Sequence, residues 1–278
     1  MRRAALALLG LSLTIVACQT VPYSGRHRLA PIYSEEKEKA MGVQAYQEVC
    51  TGGKLSQNAQ YNDLVLRCGR RIAAIASHDL KEAGREDFAW EFKVIHDDKT
   101  VNAFCLPGGK VAFYTGILPL CQDETGVAVV MGHEVGHALA RHGGERMSDQ
   151  TYLNIGGAVL AAGAGVGGAG QQGQALVLKA WGVGTGLAIA LPFSRKHESE
   201  ADQIGLMLMA QAGYDPREAP KFWERMTKAG GKQPPEWVST HPSHETRVKD
   251  LEALLPDALV YYNKATGQSI PIPPKASN

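Results

Sequence analysis

The chain holds 278 residues, 44% of them hydrophobic, enough to bury a core as one or two domains. Its 29 Lys and Arg face 28 Asp and Glu, a formal net charge of +1. With so balanced a charge and no long basic run, nothing draws the chain to nucleic acid, and no nucleic-acid partner is expected.

Arg2 and Arg3 precede an apolar run, Ala4–Val16, too short to span a bilayer comfortably, so the start reads as a targeting segment. The run closes on Ile15-Val16-Ala17-Cys18, which resembles the lipobox of bacterial lipoproteins. That likeness implies a signal peptide over residues 1–17 and a lipid on Cys18 as the membrane anchor. Gln19 is not the aspartate of inner-membrane retention, so the same likeness puts the chain in the bacterial cell envelope, on the outer membrane facing the periplasm. Residues 18–33 carry prolines, a Ser-Gly and scattered charge, and read as a tether with little structure of its own.

A first helix is predicted from Ser34, whose hydroxyl caps it, with Glu35 and Glu36 in the first turn. A second, over about Gln57–Ala76, repeats apolar residues at Tyr61, Leu64, Val65, Cys68, Ile72 and Ile75 with a helical period. Phe88–Ile95 alternates Phe88, Trp90, Phe92 and Val94 and predicts a strand. In Val101–Leu118 two short apolar runs flank Pro107-Gly108-Gly109, the chemistry of a hairpin. Cys50, Cys68, Cys105 and Cys121 fit no four-cysteine zinc spacing. In an oxidising periplasm their even number suggests two disulfides, and chain proximity suggests Cys50–Cys68 with Cys105–Cys121.

Val127–Gly143 reads V-A-V-V-M-G-H-E-V-G-H-A-L-A-R-H-G. His133 and His137 leave one helical face a turn apart, a spacing that lets both reach one metal ion. Glu134 points aside, where it touches a water and not the metal, so the unit is two ligands and a general base. Val127, Ala128, Val129, Val130, Met131, Ala138 and Leu139 make the helix apolar nearly all round, which means burial. Two histidines and a glutamate inside such a helix need partners, and a metal supplies one. Asp123 is placed to cap this helix and Gly143-Gly144 to stop it. A hairpin strand beside such a metal is suited to hold an extended peptide by backbone pairing, making Asn102, Ala103 and Phe104 candidate substrate-binding residues; the other reading is a hairpin that only completes the sheet.

Ile155–Leu191 is rich in Gly and Ala and reads as close-packed small-residue helices or a flap over the cleft, with contact to the membrane surface as the alternative. Ser194 caps a following helix that Gly213 ends. On it Glu198 and Asp202 share a face, so Glu198 is the candidate third ligand and Asp202 an acceptor for a ligating histidine's N–H. Glu200 is the rival ligand but faces another side. Asp215-Pro216 starts a helix whose Phe222, Trp223 and Met226 form a core stripe, and Gly230–Pro235 is a turn-rich link. Thr240–Arg247 opens the last helix, which Pro256 closes, leaving 257–278 as a surface tail.

H-E-V-G-H followed by E-S-E-A-D resembles the gluzincin metallopeptidases of family forty-eight, which include CAAX prenyl endopeptidases and periplasmic lipoprotein proteases. The similarity runs from about Val21 to Pro256. It takes in P-Y-S-G-R, N-A-F-C-L-P-G-G, the A-R-H tail of the zinc helix, L-P-F-S-R-K-H-E-S-E-A-D and T-H-P-S-H-E-T-R. Cys105 and Cys121 are not part of the family pattern. The resemblance implies an α+β, predominantly helical, zincin-like fold with a small sheet beside the zinc helix, the peptidase domain occupying 34–256. It implies one Zn2+ per chain on His133, His137 and Glu198, with Glu134 as the catalytic carboxylate. The family's matching histidine lies by the metal opposite the base, so His241 is expected to donate to an oxyanion, and Arg247 to orient it or the substrate carbonyl.

The activity so implied is that of a zinc endopeptidase, with misfolded or misassembled envelope proteins as substrates on family likeness alone. Lipobox and likeness together point to the lipid-anchored periplasmic branch. The rival is a chaperone-like lipoprotein that binds clients and holds zinc structurally. Three protein ligands with an open fourth place favour catalysis, because structural zinc normally has four.

Overall fold

The computed structural model describes residues 18–21, 24–151, 193–229, 241 and 246–275. The leader, the Gly/Ala-rich stretch at 155–191 and the link at 230–235 lie outside these residues. A small hairpin, β1 (Cys18–Thr20) and β2 (His27–Leu29), comes first, pairing Cys18 with Leu29. It is followed by α1 (Glu35–Gly52) and α2 (Ala59–Glu82). Next come β3 (Glu91–Ile95), β4 (Ala103–Leu106), β5 (Lys110–Tyr114) and a one-turn α3 (Leu118–Cys121). The helices α4 (Glu124–Leu139), α5 (142–151), α6 (Arg195–Gln211), α7 (Glu218–Ala229) and α8 (Arg247–Thr266) complete the described chain. This is the α+β, zincin-like architecture with a small sheet that the sequence implies.

The sheet order is β3-β5-β4, β3 parallel and β4 antiparallel to β5, so β4 is an outer strand, and it packs against α4. The hairpin turns at Pro107-Gly108, where Gly108 sits at φ +83 and the Gly109 N–H donates to the Leu106 carbonyl at 3.2 Å. Proline followed by a residue of positive φ is the pattern of a type II turn. β3 is shorter than predicted: Phe88 and Trp90 precede the strand, and the Trp90 ring packs between Phe88 at 5.3 Å and Phe92 at 6.4 Å between centroids.

The caps read from sequence are in place. The side chains of Ser34, Asp123 and Ser194 accept from backbone N–H groups of α1, α4 and α6. α2 begins at an Asn58 cap and runs to Glu82, past the predicted Ala76, because Leu80 still reaches the core. α4 is buried on nearly every side, and its central position lets α2, α6, α7 and β4 pack around it. Each fully buried Val, Leu or Met contributes about 1.5–3 kcal/mol, which offsets the cost of the polar cluster the same helix carries.

Five expectations need correction. Gly143-Gly144 does not stop α4: the helix ends at Leu139, the chain turns at Arg141 (φ +57), and both glycines fall inside α5. Arg141 is held in that conformation by bonds to the Glu38 carboxylate at 2.7 and 3.1 Å and to the Tyr33 carbonyl at 2.8 Å. The predicted tether is not loose throughout: Cys18–Thr20 pairs with His27–Leu29 as the β1–β2 hairpin, and Val21 and Arg28 are buried. Pro256 does not close the last helix, which continues to Thr266 and ends at Gly267 in the left-handed region. Burial of Ala258, Leu259 and Tyr262 outweighs the hydrogen bond lost at the proline, so the surface tail begins only after Gly267.

The fifth concerns the four cysteines, which are free thiols. Cys50 packs with the smaller core cluster around Tyr46 and Phe104, Cys68 with the larger one. Cys50 and Cys68 thus lie in different clusters, so chain proximity misidentified them as a pair. Burial pushes the Cys68, Cys105 and Cys121 thiols up, out of the reactive range.

Candidate metal centre

The site is made where α4 and α6 cross. A Cβ on Gly132 would stand 2.6 Å from the Gly205 carbonyl oxygen, and one on Gly205 equally close to the Gly132 backbone. Only paired glycines allow that approach, and it brings the first two turns of α6 beside His133 and His137. Glu198 and Asp202 are thereby aimed at the two histidines.

His133, His137, Glu198 and His241 are all buried, and one ligand atom from each lies within 4.8 Å of every other. His133 Nε2 is 3.1 Å from His137 Nε2 and 3.2 Å from His241 Nδ1. Glu198 Oε1 is 3.3 Å from His137 Nε2 and 3.1 Å from His241 Nδ1, and Glu198 Oε2 is 3.5 Å from His133 Nε2. Tetrahedral zinc with bonds of about 2.0–2.1 Å keeps its ligand atoms about 3.3–3.4 Å apart. Three imidazole nitrogens and one carboxylate oxygen at these separations therefore fit a zinc ion. Burial drives His137 well below its usual pKa despite Glu198, leaving the neutral imidazole a metal needs. Burial acts to raise the Glu198 pKa, but His241, His133 and His137 outweigh it and hold the group well down, as a carboxylate.

Asp202 stands where the sequence put it, Oδ1 2.9 Å from His133 Nδ1, accepting the ring N–H and leaving Nε2 for the metal. Glu134 is buried beside the ligand atoms and not among them, with Oε1 3.5 Å from His241 Nε2. Two placements differ from expectation. His241 stands with the ligands, its Nδ1 at bonding separation from two of them, and not across from the base. Arg247 donates to Glu198 Oε2 at 3.0 Å and Asp202 Oδ1 at 2.6 Å and lies 3.2 Å over the Trp223 ring, closed off from solvent. It thus fixes the two carboxylates of α6 from behind. Asn102, Ala103 and Phe104 are buried at the start of β4. Asn102 Oδ1 accepts from the Ala103 N–H at 2.8 Å, and its carbonyl from the Tyr114 N–H at 3.0 Å.

Several residues at the centre were not assigned a role from sequence. His142, in the A-R-H tail, places Nδ1 2.8 Å from His137 Nδ1 and Nε2 2.7 Å from Glu200 Oε2. Phe193 covers His137 at 4.0 Å between ring centroids. Trp223, read as core, also lies edge-on to His133 at 6.0 Å. Spacing alone gave no signal for His142, because it lies beyond the end of the helix that carries the ligands.

A buried, zinc-ready His/His/Glu set on two crossing helices, with a spare carboxylate beside it, defines a zinc metallopeptidase centre. Residues 68–255, more than half the chain, match peptidase family M48, and the chain belongs to that family. It is 39% identical over 246 residues to the mitochondrial metalloendopeptidase OMA1 of Schizosaccharomyces pombe, covering 86% of this chain and 67% of that protein. It is 34% identical over 196 residues to the mitochondrial metalloendopeptidase OMA1 of Homo sapiens, covering 63% of this chain and 34% of that one. To the beta-barrel assembly-enhancing protease of Escherichia coli it is 27% identical over 258 residues, 85% of this chain and half of that protein. The chain thus spans from about a third to two thirds of these relatives.

Proposed function

We propose that this chain is a zinc endopeptidase of the bacterial cell envelope, lipid-anchored at Cys18, acting on misfolded or misassembled envelope proteins. The observation that carries the catalytic reading is Glu134, a buried carboxylate beside the convergent ligand atoms and not one of them. When bound, the metal supplies a Lewis acid that polarises a peptide carbonyl and acidifies water. Glu134 accepts the proton of the attacking water and returns it to the leaving nitrogen. Asp202 holds the His133 ring and Arg247 the Glu198 carboxylate, so neither reorganises during turnover. An extended substrate would lie along the outer edge of β4, beside Asn102, Ala103 and Phe104. The envelope setting rests on the lipobox-like Ile15–Cys18 and on the likeness to a bacterial protease named for β-barrel assembly.

One observation favours the rival reading of a client-binding lipoprotein with structural zinc: four protein groups converge, as in closed structural sites. The Glu134→Gln variant separates the two. Glutamine preserves size but cannot take a proton, so zinc content is expected to stay stoichiometric while cleavage of casein falls by about 10²–10⁴-fold. Chelation is expected to abolish wild-type cleavage and added zinc to restore it. A wild type that binds zinc and suppresses aggregation but never cleaves an unfolded protein, with the variant equal to it, would establish the binder.

A further inference from the structure

The two ligating histidines of α4 are oriented in different ways. His133 meets Asp202 directly. Among the described residues His137 meets no carboxylate through its outer nitrogen; its Nδ1 faces His142 Nδ1 at 2.8 Å, and His142 Nε2 faces Glu200 Oε2 at 2.7 Å. With His137 Nε2 aimed at the metal position, one proton arrangement satisfies the chain: His137 Nδ1–H donates to His142, and His142 Nε2–H donates to the Glu200 carboxylate. Glu200 is itself held by the N-terminal hairpin. Ser24 Oγ donates to Glu200 Oε1, and Arg26 Nε donates to Glu200 Oε2 at 2.8 Å. The other two guanidinium nitrogens of Arg26 bind the Glu145 carboxylate of α5 at 2.9 and 2.7 Å.

We infer that the Ser24–Arg26 turn is a working part of the zinc centre: through Glu200 and His142 it sets the tautomer and angle of His137. Ser24, Arg26, Glu200 and His142 are positioning residues; none of them touches the reacting atoms. The turn lies more than a hundred residues upstream of His137, and the planar fork of Arg26 suits it to bridge two carboxylates on two helices. The inference rests on the zinc reading of the site.

The experiment measures zinc affinity of the full chain by competition with a chelator, for the wild type, Arg26→Lys, Ser24→Ala, Glu200→Gln, His142→Ala and the double variant Arg26→Lys/His142→Ala. Glu200→Gln and His142→Ala are expected to lose about 10–100-fold in affinity, as other outer partners of zinc ligands do. Arg26→Lys and Ser24→Ala are expected to lose less, in the same direction. The decisive result is the pairing: once His142 is gone, Arg26→Lys should cost no further zinc affinity, because its route to His137 is cut. Should Glu200→Gln or His142→Ala not fold, Ser24→Ala, which removes one atom, and Arg26→Lys, which keeps the charge, carry the test alone. Additive losses in the double variant, or wild-type affinity in both turn variants together, would overturn the inference. A wild type without stoichiometric zinc would instead overturn the reading beneath it.

Discussion

Glu198 and Glu200 sit two residues apart on one helix and do different work, because a step of two residues turns α6 through about 200° and aims them at different partners. Glu198 stands among the ligand atoms, while Glu200 stands behind His142. Glu198→Ala is therefore expected to abolish stable zinc binding, Glu200→Ala to weaken it, and Asp202→Ala to cost about 10–100-fold, all readable by chelator competition. Equal losses from the two glutamate variants would mean that the helix face is misassigned. His241 gives a second expectation at this scale. With zinc held by this set, its Nδ1 would take the corner that a catalytic site leaves for water, so His241→Ala is expected to loosen zinc and raise the rate on an unfolded protein. A lower rate with zinc affinity unchanged would return His241 to the oxyanion role. The clustering of His133, His137, Glu198 and Asp202 was legible in the sequence because helical spacing within two short stretches sets which side chains share a face. Glu200 was weighed only as a ligand, and His142 not at all, since their partners come from segments far apart in sequence.

At the scale of elements, the centre depends on how closely α4 and α6 cross. Gly205→Ala would push a methyl group to 2.6 Å from the backbone at Gly132 and His133, with no flexible side chain there to give way. Overpacking of this kind costs about 1–3 kcal/mol, and here the displacement also withdraws Glu198 and Asp202 from the histidines. The variant is expected to lose stability in denaturant unfolding and zinc affinity together; unchanged affinity would show that the crossing is not what sets the ligand geometry. Element type and most caps were legible because Ser34, Asp123 and Ser194 are side chains whose caps are local hydrogen bonds. Element ends were less so. Where α4 stops is decided by Glu38, a residue of α1 that grips Arg141, and where α8 stops by the burial of Leu259 and Tyr262, which carries the helix past Pro256. Both are tertiary effects with no local signature.

For the whole molecule, the same hairpin joins Cys18, the proposed point of anchoring, to the metal centre. Cys18 opens β1, and Ser24, six residues on, touches Glu200. At a reach of at most about 3.3–3.6 Å per residue, a lipid on Cys18 would keep that contact within about 20 Å of the anchored residue. A chain so tethered meets substrates at the bilayer surface before those in bulk solution. The test replaces the leader with one that is cleaved without lipidation and carries Cys18→Ser. Because the Ser24–Arg26 turn is untouched, zinc affinity and the rate on soluble casein are expected to match the wild type. Partition into membranes should be lost, and cleavage of a substrate held in vesicles should drop relative to cleavage of casein. A wild type that is unlipidated and freely soluble in a bacterial host would remove the anchor. A soluble variant that keeps full activity on the vesicle-held substrate would keep the anchor but deny it any part in choosing what is cut.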